Sequence, residues 1–534
     1  MHPIRAVWPS EDGVFFSVAT PGERAVDVLV DGRRVWSFRE PADPPALGTL
    51  PPGAVGEHLR FEPWPGVIRE RLPTRFTLAL RAIAEDGTAD EPVAATAELS
   101  GDRPPALADI HGRPLVVNKW GRLGHALADA APGLVERMLD HMDEIRDLLQ
   151  SHLGPVVCVT GGTLLGPIRD EGRLIPHDDD ADLTYLSSWD HPADVVRESF
   201  ELGRLLREAG YDVIRLSAAH VQMHFTHDGV PDHYVDVFGG FLREGYLLQT
   251  FAIRAPMARE QLLPPATIMV EGRPEPAPRD PEAVLAENYG PGWRIPDPSF
   301  VFDLPESTTA RFSGWFADYH ADREAWEDLV LLGRQTLPAE DRTSGFADWV
   351  HRVTPPDHAI LELGCGLGVD ARALAASGRT VRAVDFSRYG IEAARSRSVG
   401  GGGQVSFDLV NLLDLRAVLR LGAVCAGDPQ PWTVYGRRVL NALEAPGRDN
   451  VFRLCGMLVR RGGAAHLDVV TDAEAAGLPP HLRVSTGRLV DEAARHGLVL
   501  DEATTRQELL NWVGETADEQ LVEISRMTFR RRMR

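Results

Sequence analysis

Ile175-Pro176-His177-Asp178-Asp179-Asp180-Ala181-Asp182-Leu183-Thr184-Tyr185-Leu186 runs a string of aspartates straight into an apolar stretch. Side chains alternate across a strand with a period of two, so Asp180 and Asp182 fall on one face where a strand begins. Carboxylates held side by side repel each other unless a cation lies between them, and hard oxygen ligands of this kind suit Mg2+ or Mn2+. Upstream, Val156-Val157-Cys158-Val159 reads as a short buried strand. It leads into Thr160-Gly161-Gly162-Thr163-Leu164-Leu165-Gly166, where the start of a short helix turns backbone N–H groups toward a possible phosphate. Downstream, Tyr234-Val235-Asp236-Val237-Phe238 sets a further carboxylate among apolar strand residues, where a charge is costly unless paired or metal-bound.

Glycines at a helix start, an Asp-x-Asp strand and a later Asp strand make the arrangement of a nucleotidyltransferase-type site, in which one or two divalent ions polarise a transferring phosphoryl group. The competing structural reading is an Asp-rich surface turn with an unrelated buried Asp236. On the functional reading Asp180 and Asp182 hold the metal, and Asp236 completes the site or helps to deprotonate an attacking hydroxyl. Gly161, Gly162 and Thr163 cradle a diphosphate. Arg169 either neutralises charge on a leaving nucleotide or pairs with a nearby acid such as Asp170 or Glu171. His220, His224, His227 and His233 are close in sequence, but strand alternation puts His224 and His227 on opposite faces, so satisfied polar neighbours are expected there rather than a histidine metal site.

Around this core the chain alternates helix and strand. Leu134, Met138, Leu139, Met142, Ile145, Leu148 and Leu149 form the stripe of an amphipathic helix over 132–153. A helix over 194–209 and strands near 212–216, 221–226 and 233–238 follow, which implies an α/β domain. Residues 262–300 are proline-rich and read as an ordered wrapping segment, with Tyr289, Trp293 and Phe300 to bury. Residues 1–110 carry short β-type runs such as Val14–Val18 and Phe76–Leu80 between Gly, Pro and Asp turns, and read as a small β-sandwich accessory module that covers a face of the next domain or binds a glycan. The expected fold class is multidomain α/β, divided into 1–110, 111–305, a helical linker 306–344, and 345–534. Gly400–Gly403 suits a flexible loop.

A second constellation lies in the last segment. Ala359-Ile360-Leu361-Glu362-Leu363-Gly364-Cys365-Gly366-Leu367-Gly368 is an apolar strand entering a glycine loop, followed by a helix over 369–377, and such a loop lets backbone approach a cofactor closely. The next strand, Thr380–Val384, ends in Asp385, placed where a carboxylate can accept both hydroxyls of a ribose. A degenerate Rossmann-like scaffold without cofactor is the alternative. Tyr435 and Arg437 stand where a fourth strand should deliver residues to the pocket, with core and salt-bridge roles equally open.

Composition narrows the partners. The chain has 534 residues and a formal net charge of −22, with 56 basic residues of which Lys119 is the single lysine, a bias read as a coding habit. An acidic chain with no dense basic block is a poor holder of nucleic acid. No apolar run reaches membrane-spanning length and no secretory leader is recognisable, so a soluble, cytoplasmic protein is expected. Cys158, Cys365, Cys425 and Cys455 are too scattered for a zinc site or a disulfide framework and are expected to be buried small residues.

The stretch Gly162-Thr163-Leu164-Leu165-Gly166-Pro167-Ile168-Arg169, then 175–182, then Asn288-Tyr289-Gly290-Pro291-Gly292-Trp293, resembles the LicD and fukutin-related phosphotransferases over roughly 120–300. Where that family commonly has tryptophan before the aspartates, this chain has His177. The resemblance implies transfer of a phospho-alcohol, phosphocholine or a phospho-polyol, from a CDP-linked donor to a hydroxyl of a glycan or lipid-linked glycan. The Glu-x-Gly-x-Gly-x-Gly run resembles class I methyltransferases over about 345–500, which implies S-adenosyl-L-methionine as cofactor. Glu362 would then bind the amino end of its methionine, Gly364, Gly366 and Gly368 the loop contact, Asp385 the ribose, and Asn411 the neighbourhood of the adenine. The combined expectation is a bifunctional surface-glycan-modifying enzyme. The alternatives are nucleotidyl transfer to a sugar phosphate or protein with separate small-molecule methylation, and a glycan-binding scaffold of inactive folds.

Overall fold

The computed structural model describes the chain apart from residues 1–2, 41–49, 52, 55–57, 70, 85, 102, 110, 251–252, 303, 320–343, 399–403, 472–482, 511–519 and 533–534. The expected glycine loop at 400–403 and most of the segment 306–344 therefore lie outside the described residues. The chain divides into two compact units, Met1–Asp318 and Tyr319–Arg534.

The first unit opens with two antiparallel sheets. Strands Ile4–Pro9, Gly13–Val18 and Leu59–Pro63 make one, and Arg33–Arg39, Ala25–Val30, Arg75–Ala82 and Val93–Glu98 make the other. These are the apolar runs expected from sequence at 14–18 and 76–80. The second sheet is tied to the rest of the unit through Arg33, which donates to the Leu115 carbonyl at 3.1 Å and pairs with Asp129 at 3.2 Å, and through Arg34, which donates to the Pro298 carbonyl at 3.0 Å.

The centre of the unit is a mixed sheet in which Val157–Val159, Ala181–Leu186, Val230–Arg243, His220–His227 and Val213–Ser217 lie side by side in that order, with Tyr246–Gln249 and Ile253–Pro256 added at an edge. Strand 181–186 is buried on both faces except at Thr184, because the helix Leu134–Leu153 lays Met138, Leu139, Met142, Ile145 and Leu149 over the sheet at intervals of a helical stripe. The one parallel pairing, between 181–186 and 230–243, sets Asp182 beside Asp236. The proline-rich segment, expected to be ordered, contains a hairpin, Ala266–Val270 with Arg273–Ala277, before the helix Pro281–Tyr289, and Trp293 is buried. Pro274 and Pro276 alternate along its second strand, and the residue between them, Glu275, is buried and paired with Arg146. Prolines at alternate positions of a two-stranded edge can leave the ladder intact, which a composition reading cannot detect. Helix Glu306–Phe316 packs Phe312 and Phe316 against Val195, Phe241 and Leu248, so this part of the expected linker belongs to the first unit.

The second unit is a seven-stranded sheet in the order Val405–Leu409, Val381–Asp385, Ala359–Leu363, Trp432–Arg437, Ala465–Val470, Gln520–Arg531, Leu498–Leu510. The first five strands are parallel and the last two antiparallel to their neighbours. Sequence order reverses at 359–363, the switch point where such sheets open a ligand crevice at the carboxyl ends of their strands. Glycine is required at Gly368, whose φ is +70° and where a Cβ would meet Phe407 and Ala394. Arg448 is buried within this unit and bidentate on Glu492, at 3.0 and 3.2 Å. Arg448→Met should cost the second unit about 3 kcal/mol by leaving the buried Glu492 with only the half-exposed Arg488 as partner, and Arg448→Met with Glu492→Leu should recover most of it. Denaturant unfolding of the full chain checks this: only the transition of the second unit should move.

Candidate functional sites in the two units

In the first unit the strand 157–159 delivers Thr160 to the carboxyl edge, and the helix Gly161–Arg169 starts there. Gly161 has φ +53° and lies against the Asp182 carboxylate, and Gly162 lies so close to Asp178 that a Cβ at either position would collide with an aspartate oxygen. The Gly162 N–H donates to Asp182 Oδ2 at 2.9 Å, and the Asp182 N–H donates to Thr163 Oγ1 at 2.8 Å. The glycines thus seat carboxylates. The Gly162 N–H, expected from sequence to face a phosphate, donates here to Asp182.

Two sets of carboxylates, Asp178 with Asp179 and Asp180, and Asp180 with Asp182 and Asp236, each bring ligand oxygens within 4.8 Å of one another. Asp180 Oδ1 is shielded from solvent and has no hydrogen-bond partner. Burial, then the repulsion of Asp182 and Asp178, pushes the Asp180 carboxyl well above the usual range. Burial chiefly, with Asp178 adding to it, raises Asp179 to about 6. Burial likewise raises Asp182 to about 7, against the opposing charge of Lys119. An orphaned buried oxygen among crowded oxygen ligands fits a hard divalent cation.

Asp236 is held from behind. His220 Nε2 lies 2.7 Å from its Oδ1, and Gln222, directly across the strand pair, donates to both oxygens at 3.2 Å. His224 bonds to Gln222 in turn. His233 pairs with Asp232 and stacks near His141, so the histidines have polar partners, and a register shift between His224 and Thr226 breaks the simple alternation expected beyond it. Arg169 pairs with the adjacent Asp170 at 3.1 Å, the second of its two expected roles.

Sequence reasoning missed Lys119. It sits at the tip of a turn in which Asn118 Oδ1 accepts from the N–H groups of Trp120 and Arg122, and its Nζ is 2.9 Å from Asp178 Oδ1. Burial alone would lower its pKa, yet Asp178, Asp180 and Asp182 hold the ammonium well above its ordinary value. Beside it Trp120 stacks on Phe302 at 4.8 Å, and Phe302 and Phe300 flank Tyr289. The available signal was its singularity: the chain's one lysine stands among its densest carboxylates.

In the second unit the strand Ala359–Leu363 buries Glu362, whose Oε2 has no hydrogen-bond partner and whose carboxyl is raised well above its usual range by burial and then by Asp370. Gly364 and Gly366 take φ +71° and +51°. The Gly366 N–H donates to Asp385 Oδ2 at 2.8 Å, and the Ser387 N–H to Asp385 Oδ1 at 2.8 Å, so loop and strand end are locked together. Asn411 donates to the Tyr319 carbonyl at 2.6 Å and accepts from the Leu413 N–H, which employs both ends of the amide that sequence placed near an adenine. Tyr435 is fully buried, within electrostatic reach of Glu362. All four cysteines are buried and unpaired.

Known proteins of two kinds are similar to parts of this chain. Residues 156–280 match the LicD/FKTN/FKRP nucleotidyltransferase domain. The ubiquinone biosynthesis O-methyltransferase of Xanthomonas campestris pv. campestris is 27% identical over 180 residues, which is 33% of this chain and 69% of that protein. Among solved structures, a SAM-dependent methyltransferase from Anabaena variabilis (14% identity, 40% of this chain and 95% of that one, TM-score 0.32) and the CcbJ methyltransferase from Streptomyces caelestis (15% identity, 39% and 98%, TM-score 0.30) are similar. The chain thus carries a segment that matches a LicD-type nucleotidyltransferase domain together with a segment similar to methyltransferases.

A carboxyl whose pKa is raised in the folded state contributes stability below its unfolded pKa and loses it as pH rises through the folded value. In chelator, the first unit should therefore lose stability as pH rises from about 4, the ordinary carboxyl value, through about 6 for Asp179 and about 7 for Asp182, with Asp180 adding to the loss in the same direction, and Mg2+ should restore it most at the alkaline end, where protons no longer compete for the oxygens. Thermal melts at each pH with and without Mg2+ measure this.

Proposed function

We propose that the chain is a bifunctional glycan-modifying enzyme: the domain at 111–305 transfers a phospho-alcohol, phosphocholine or a phospho-polyol, from a CDP-linked donor to a glycan or lipid-linked glycan hydroxyl, and the domain at 345–534 methylates that product or the same glycan. The sheets of 1–110 act as a small β-sandwich covering the transferase domain, 306–344 joins the two enzymes, and the work is done in the cytoplasm. Among the described residues no helix is long and apolar enough to cross a membrane.

The observation that carries this reading is the carboxylate cluster with its unpartnered Asp180 oxygen, in a segment that matches the LicD-type domain. Asp180, Asp182 and Asp236 would hold Mg2+ or Mn2+, which supplies charge neutralisation to the phosphoryl oxygens. The acceptor hydroxyl attacks the phosphorus that bears the alcohol, and the bond to the bridging oxygen breaks so that CMP leaves with its electron pair. Asp236, oriented by His220 and Gln222, completes the metal site or, in place of that role, helps to take the hydroxyl proton. Lys119, the nearest mobile positive charge, faces the phosphates, and the Trp120–Phe302 pair offers a flat apolar surface to a base or acceptor ring. In the second domain Glu362, the loop Gly364–Gly368, Asp385 and Asn411 would line the S-adenosylmethionine pocket, with the methyl group supplied by the cofactor.

CDP-choline, CDP-glycerol and CDP-ribitol, each with Mg2+ and a glycan acceptor, test the transferase assignment through the nucleotide released. CMP is expected, and Asp180→Asn should abolish its release; pyrophosphate release, or an active Asp180→Asn chain, sinks the reading. Lys119→Met should leave Mn2+ binding intact while weakening the donor about tenfold, the loss of one charge-assisted phosphate contact.

A further inference from the structure

In the second sheet Leu363 is registered with Gly436, and Arg437 with Asp468. Arg437 therefore emerges at the carboxyl edge beside Gly364 and the glycine loop, on the side where open α/β sheets hold their ligands. It is exposed, and among the described residues it has no hydrogen-bond or ion-pair partner.

Its neighbours on this edge do not supply one. Asp468 accepts from the Arg438 N–H at 2.8 Å and from Arg506 at 3.3 Å, and Glu508 from Arg438 at 2.7 Å and Arg506 at 3.1 Å. Those two acids are spent on those two arginines. Arg526, registered with Asp468 on the next strand, lies over the rings of Trp349 and Phe346 at 4.4 and 5.0 Å, and its Nε has no hydrogen-bond partner. Four arginines stand against Asp468, Glu508 and the buried Glu362, which leaves an excess of positive charge along this edge, with Arg437 and Arg526 on either side of the Asp468 strand. Phe346 also contacts Tyr435, which lies within electrostatic reach of Glu362.

We propose that the methyl acceptor of the second unit carries a phosphate group, held by Arg437 and Arg526 at the mouth of the adenosyl pocket, with the apolar part of the acceptor against Trp349 and Phe346. Guanidinium forks match phosphate oxygens in number and direction. This rests on the reading of the second unit as a methyltransferase, and it deepens that reading: a phosphodiester made by the first unit has the chemistry that this edge selects.

The test uses the full chain in EDTA, saturated with S-adenosylhomocysteine, titrated calorimetrically with glycerol 3-phosphate and, as a neutral control, glycerol. Saturable binding of glycerol 3-phosphate and none of glycerol is expected, weakened about tenfold or more in Arg437→Gln and unchanged in Asp180→Asn, with the affinity for S-adenosylhomocysteine unaltered. Glycerol 3-phosphate that binds Arg437→Gln as it binds the parent chain, or fails to bind the parent chain, is an adventitious ion only and overturns the proposal. Loss of S-adenosylhomocysteine affinity in Arg437→Gln also overturns it, by assigning Arg437 to the cofactor carboxylate. A parent chain that does not bind S-adenosylhomocysteine removes the methyltransferase reading, and the proposal falls with it.

Discussion

A carboxylate accepting the N–H of a glycine turn organises both halves of this chain. In the first unit Gly162 donates to Asp182, and in the second Gly366 donates to Asp385. Each bond joins the loop after one strand to an acid on the next, so it fixes the crevice at the strand edge and the direction of a functional side chain together. The glycines are needed because the acids press against the backbone: a Cβ at Gly161 or Gly162 would occupy space held by aspartate oxygens. A charge-assisted bond to a backbone donor is stronger than a neutral one, and in a shielded edge it holds an anion where water would otherwise be required.

The two units differ in how the remaining charge is managed. In the first, carboxylates outnumber their partners, with Lys119 on Asp178 and His220 and Gln222 on Asp236, and Asp180 is left with an unpartnered oxygen. Such a site is poorly stable by itself, and its buried acids gain most from a cation. In the second, the acids at the sheet edge are matched by arginines and the excess is positive, apart from Glu362, which is buried among apolar strands beneath the glycine loop. One crevice is therefore acidic, with a buried carboxylate oxygen left unpartnered, and the other is edged by an excess of arginine charge.

Much of this was legible in the sequence because the responsible residues are close together along the chain. Asp180, Asp182 and the glycine turn lie within one short span, and the strand-loop-helix beginning at Ala359 is self-contained, so period and spacing sufficed. Asp236 could be named because a charge inside an apolar strand is conspicuous. What stayed hidden depends on contacts over long separations. His220 and Gln222 reach Asp236 only through the antiparallel register, and Lys119 reaches Asp178 only because the turn at 118–122 folds over the cluster. Composition gave order but not the hairpin at 262–300, where prolines alternate along a strand, and it could not foresee that Asn411 would donate to the Tyr319 carbonyl.

The central claim is that the acidic crevice of the first unit is a metal site built from Asp180, Asp182 and Asp236. Anomalous diffraction from a crystal of the full chain grown with Mn2+ tests it without reference to any substrate. The account predicts an anomalous peak within bonding distance of all three carboxylates, absent in Asp180→Asn. Ordered carboxylates with no peak between them, or Mn2+ bound only at exposed surface acids, would contradict it.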